Sequence, residues 1–109
     1  MYDSDELLFI NDVTFLIENK DRNALLNLTL DKHKNETKEN LSIVTKQNDL
    51  IMWNIIFARE VFRNGSTKTY LHTLYNKYYN AIQNTKKLYN LQQLEIDMIN
   101  SYFDILNHC

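Results

Sequence analysis

His33, His72, His108 and Cys109 are the side chains with the widest chemical repertoire in this 109-residue chain. A zinc site needs such residues at short, fixed spacings so that three or four donors converge. Here His33 and His72 stand far apart, and His108 and Cys109 end the sequence, where chains fray. The pattern names no metal and no cofactor. Acid–base catalysis needs a carboxyl group withdrawn from water and held at its substrate. The carboxylate pairs Asp5 with Glu6 and Glu36 with Glu39 both fall where solvated first turns of helices are expected. No Gly-rich loop is present to cradle a phosphate. Tyr70, Tyr75, Tyr78, Tyr79 and Tyr89 lie among lysines and could stack nucleobases. Tyr75 and Tyr78, however, recur at the spacing of a helix core. No enzyme is indicated.

The elements that position these residues follow from composition. One glycine and no proline leave few means of building hairpins or barrel corners, so the chain reads as an all-α domain, a bundle of about five helices. Asp3 or Ser4 caps a first helix running to about Glu18, and Asp21 caps a short second helix carrying Leu25, Leu26, Leu28 and Leu30. The run DKHKNETKEN, residues 31–40, holds no apolar side chain and reads as an exposed connection. A long central helix is expected from about residue 37 to 64, with Gly65 as its left-handed C-cap. Ser66 or Thr67 caps the fourth helix and Asn84 or Thr85 the fifth. Residues 1–109 thus form one domain, with a helical pair over 1–37 and a three-helix core over 38–107.

In the third helix, Leu50, Ile51, Trp53, Ile55, Phe57, Val61 and Phe62 fill an arc of about 200° on a wheel of about 100° per residue. That width predicts a central helix touched on two sides. Asn54 lies inside the arc, where an unpaired amide costs about 1–3 kcal/mol. Two expectations follow: a bond to a backbone carbonyl at a helix end, or a bond across an interface, to another helix or to another chain. The fifth helix carries two adjacent rows. Leu88, Leu91, Leu94 and Met98 are assigned to the protein's own core; Ile96, Ile99, Phe103 and Leu106 are left for a partner.

A family resemblance rests on Asn48, Leu50, Ile51, Trp53 and Asn54, then Arg59, Gly65, Tyr70, Leu71, Leu74, Lys77, Tyr78 and Ile82, then Leu88, Leu91, Leu94, Met98 and Tyr102. This pattern resembles the helical region preceding the DNA-binding domain in many AraC-family transcription regulators of Firmicutes, and it covers roughly residues 38–106. The chain departs from the family at Asn64, where a second glycine is usual, at Thr69 for proline, and at Tyr75 for serine. The family's two helix-turn-helix units are not among these 109 residues. The resemblance implies a regulatory or dimerising helical domain, and no direct DNA binding by this chain.

The functional expectation is a protein-interaction domain, paired as a homodimer or with a regulator or host factor that it modulates. A small helical defence-related protein is the alternative, such as a bacteriocin-immunity-like bundle or a phage-encoded inhibitor of a host nuclease. A net charge of -2 gives no strong global field. The charges are nevertheless unevenly placed: Asp3, Asp5, Glu6 and Asp12 make the beginning acidic. Residues 61–94 hold Arg63, Lys68, Lys77, Lys86 and Lys87 with no carboxylate, and could meet an acidic partner. Abundant Asn, Lys, Ile and Tyr beside scarce Arg is the bias of A/T-rich codons, pointing to a low-GC bacterium or its mobile elements. No apolar run approaches a membrane span and no signal sequence opens the chain, so a cytoplasmic location is expected.

Overall fold

The computed structural model describes residues 3–65 and 68–107, with side chains from Asn11 onward. It is an all-α bundle of five helices: α1 (Asp3–Glu18), α2 (Arg22–Lys38), α3 (Ile43–Arg63), α4 (Lys68–Asn84) and α5 (Leu88–Leu106). Among the described residues there is no strand. The radius of gyration is 13.4 Å, the size of one packed domain of this length, about 13 Å.

Three residues with positive φ set where the first three helices stop: Lys20 (55°), Asn40 (55°) and Gly65 (108°). After α1, the Lys20 N–H donates to the Ile17 carbonyl at 3.0 Å and the Asp21 N–H to that of Leu16 at 2.9 Å. After α2, Asn40 bonds Thr37 at 3.1 Å and Leu41 bonds Glu36 at 3.0 Å in the same pattern. These paired bonds satisfy carbonyls that a helix end leaves without partners. Gly65 takes the left-handed position expected of it, at a φ open to glycine without steric cost.

Asp21 caps α2 as expected, accepting a bond from the Ala24 N–H. Other boundaries differ from the sequence expectation. α2 is a full 17-residue helix, so the polar run 31–38 is helical. α3 begins at Ile43 under the cap of Ser42, whose side chain accepts from the Thr45 N–H. Asn84 and Thr85 do not cap α5; their side chains donate back to the Asn80 carbonyl at 2.9 Å and the Ala81 carbonyl at 2.7 Å, closing α4 instead. The caps assigned to Asp3 or Ser4 and to Ser66 or Thr67 rest on side chains outside the described residues.

α3 packs most extensively against α4 and α5, while α2 lies against α5 and α1 bridges α2 and α3. The core draws on all five helices: Val13 and Ile17 from α1, Leu25 from α2, Leu50 and Phe57 from α3, Tyr78 and Ile82 from α4, and Met98 and Phe103 from α5. Burying each such side chain contributes about 1.5–3 kcal/mol. No helix among the described residues is long and apolar enough to cross a membrane.

Candidate functional site

Three helices contribute charged side chains to one buried cluster. Lys46 on α3 has no exposed surface, yet its ammonium bonds Glu36 of α2 at 2.7 Å, Glu95 of α5 at 2.6 Å and Asp49 at 3.3 Å. Lys32 of α2 bonds Asp49 at 2.8 Å and Glu95 at 2.9 Å, with its ammonium 5.3 Å from the Trp53 ring centre. The His33 Nε2–H donates to Glu95 Oε1 at 2.6 Å, since a carboxylate offers only acceptors. Gln92 closes the far side, donating to the His33 carbonyl at 3.1 Å and to Glu36 at 3.2 Å. Trp53 donates its indole N–H to Asp49 at 3.1 Å.

This arrangement explains why residues 31–38 fold as a helix without an apolar residue. At one-turn spacing, Thr29, His33 and Glu36 present one face of α2, and all three are buried. Their partners wait on α3 and α5. The expectation that Glu36 sits in a solvated first turn is corrected: it is buried near the end of α2, whereas Glu39, at the C-cap, is exposed. Among the described residues, no buried side-chain nitrogen or oxygen lacks a hydrogen-bond partner.

Electrostatics within the cluster are mutually sustaining. Burial, the largest single influence, pushes the Glu95 carboxyl up; Lys32, the His33 bond and Lys46 together outweigh it and hold Glu95 well below the usual carboxylate range. Burial likewise pushes Lys32 down, and Glu95 and Asp49 more than reverse this, leaving it above its ordinary value. A depressed carboxylate stabilises the fold above its unfolded value of about 4.3 and loses that contribution as pH falls below it. Urea unfolding at pH 7, 5 and 3 is therefore expected to show stability falling with acid, and Glu95→Gln to fall less steeply. A variant with the parent's slope would contradict this assignment.

The cluster is also the one place where metal ligands converge among the described residues. His33, Glu36 and Glu95 offer ligand atoms within 4.8 Å of one another. The Lys46 ammonium already bonds both carboxylates, and His33 is bonded to Glu95. A divalent ion would have to displace that internal cation and break all three bonds. The chemistry of this donor set is that of a structural ion network, so we assign it no catalytic step.

Asn54, singled out in the sequence, is buried and bonded within its own chain. It donates to the Tyr75 carbonyl of α4 at 3.0 Å and accepts from the Tyr102 hydroxyl of α5 at 2.6 Å. It ties three helices together and is not available to another chain. Burial pushes the Tyr102 hydroxyl above its ordinary pKa, so it remains a donor. Asn54→Leu removes a partner from two buried groups, and about 2–4 kcal/mol of stability should be lost in urea unfolding. A loss under about 0.5 kcal/mol would contradict the assignment.

The row assigned to a partner on α5 is also corrected. Ile99, Phe103 and Leu106 are buried in the protein's own core, and Ile96 is half-buried at the edge. The reason is α2, which packs against that side: Arg22 at its start pairs with Asp104 at 2.6 Å and lies 5.7 Å from the Phe103 ring centre. On α3 the outcome is reversed. Leu50, Trp53, Phe57 and Val61 enter the core, but Ile55 is 42% exposed, Phe62 52% and Val44 65%. Two of the seven residues of the wide apolar arc, Ile55 and Phe62, thus face outward, beside Val44.

Compared with protein-family models, curated proteins and solved structures, the chain matches none.

Proposed function

We propose that this chain is a non-enzymatic protein-interaction domain that meets its partner through the outer face of α3. The observation that carries the reading is the exposed trio Val44, Ile55 and Phe62, which continues on one face with Ile51 and Ala58, two half-buried residues that also pack against the core. Apolar groups of this size grouped on one face favour removal from water. The ion cluster and the Asn54 bridge support the same division of labour, because they hold α3 against α2, α4 and α5 by its other side.

The AraC-type resemblance fits this reading in a limited way. Trp53, Asn54, Leu71, Tyr78, Ile82, Leu91, Met98 and Tyr102, which carry much of it, are all buried, so bundle packing alone accounts for their types. Arg59 and Lys77 share the pattern and are exposed. We infer a modulator of a regulator or of another cellular protein, with the α3 face as its working surface.

Site-specific photo-cross-linking in the cells that produce the chain tests this. A photoreactive side chain at position 55 or 62 should yield one adduct of common mass, and the same group at the exposed Asn35 of α2 should not. Equal yields from all three positions would contradict the proposal.

A further inference from the structure

The outer face of α3 has the spacing of a helix that packs against another helix. Val44, Ile51 and Ala58 recur every seven residues, and Ile55 and Phe62 fall four residues after the second and third of them. This is the alternation of a helix–helix seam, with Asn48 at the one polar position. From Val44 to Phe62 the row runs roughly 27 Å, about five turns. A partner element of matching shape is a helix of similar length.

The surroundings of the row say what charge that helix carries. The bonds from Asn54 to the Tyr75 carbonyl and from Gln47 to the Ile82 carbonyl at 3.2 Å fix which edge of α4 runs beside α3. At about 100° per residue, Lys68, His72, Tyr75 and Tyr79 continue that edge outward, next to the apolar row. Tyr75 and Tyr79 are half-buried and stacked, with ring centres 6.2 Å apart. Arg59 borders the row on its other side and, like Lys68, is exposed. Arg59, Lys68, Lys77, Lys86 and Lys87 make no ion pair among the described residues. Residues 61–94, which hold these four lysines, contain no carboxylate.

Resting on the interaction reading above, we infer that the α3–α4 face docks an amphipathic helix of a partner protein that is apolar on one side and acidic along its flanks. Its apolar side covers Ile55, Phe62 and Val44; its carboxylates meet Arg59 and Lys68. A second copy of the chain fits less well, since a two-fold pairing brings this basic surface against itself. The chain's own acidic helix, α1, has Val13 and Ile17 in the core, each 1% exposed, and is not free to serve another copy. Nucleic acid would use the cations but gains nothing from Val44, Ile55 and Phe62, and nucleic-acid interfaces are polar and far more positively charged.

A defined probe tests the inference: a fluorescent 18-residue helical peptide with Leu and Ile along one face and Glu on both flanks. A second peptide carries Lys in place of Glu, and a third probe is an oligonucleotide, single- or double-stranded. The acidic peptide should bind, shift the NMR signals of α3 and α4, and weaken as salt rises. Arg59→Glu with Lys68→Glu should weaken it at least tenfold, and Ile55→Ser with Phe62→Ser should abolish it. Both pairs are exposed, so circular dichroism should confirm an unchanged fold. Silence from the acidic peptide, or equal binding of the basic one, overturns the inference. So does oligonucleotide binding to this face without peptide binding, or self-association that the Ile55 and Phe62 changes remove. Cross-links from position 55 in cells with no acidic-peptide binding would leave the interaction reading standing and sink the acidic helix alone.

Discussion

Lys46→Met is expected to cost about 3–5 kcal/mol, a large share of the roughly 5–15 kcal/mol that holds a domain together. The substitution preserves length and apolar bulk while deleting the cation that bonds Glu36 at 2.7 Å and Glu95 at 2.6 Å. Glu36 would then be buried with only the Gln92 amide, and Glu95 would keep Lys32 and His33. The size of the effect comes from the stranded carboxylates more than from the lost attraction, because pairing two buried charges does little more than offset their desolvation. A second substitution exposes this logic. Adding Glu36→Leu to Lys46→Met removes one stranded charge, and urea unfolding should recover part of the loss. If Lys46→Met alone lies within about 0.5 kcal/mol of the parent, the cluster is not holding α2 in place.

Ile99→Glu together with Phe103→Glu should unfold the protein at room temperature. Each side chain is 1% exposed and sits in the core. Truncating a buried phenylalanine costs about 3–5 kcal/mol on its own, and two carboxylates would have to be buried without assigned partners or expel the helices that cover them. The helical circular-dichroism signal should be largely lost. Ile96→Glu is the internal comparison: half-buried at the rim of the same row, it should leave a folded protein. A double variant that stays helical and melts like the parent would mean that this side of α5 is surface after all.

The sequence disclosed the fold class and several boundaries because the signals there are local. Gly65 and Asp21 act over one turn, and both do what their types suggest. The amphipathic periods of α4 and α5 are likewise written in consecutive residues. What stayed hidden is set by partners distant in sequence. The polar run 31–38 looked like a connection because its stabilising groups, Lys46, Gln92 and Glu95, arrive from other helices. One clue was present: His33 and Glu36 stand one turn apart, as do Gln92 and Glu95, a spacing that puts polar pairs on one helix face. The assignment of inner and outer faces failed for a related reason. Both α3 and α5 are apolar over wide arcs, and periodicity does not say which arc finds a cover. α2 decides it for α5, since Arg22 at its start pairs with Asp104 and lies over the Phe103 ring.

α3 is thus divided lengthwise, one face building the core and the other carrying the exposed Val44, Ile55 and Phe62, the surface proposed to meet a partner. Ile55→Ser with Phe62→Ser reads that division in a single preparation, by thermal unfolding beside photo-cross-linking from position 51, which lies in the same row and is half-buried. Exposed positions tolerate such changes within about 0.5 kcal/mol, so the melting curve should superimpose on the parent's while the adduct disappears. A variant that melts well below the parent, or that keeps the adduct undiminished, would show that the outer face of α3 is part of the fold or irrelevant to the partner.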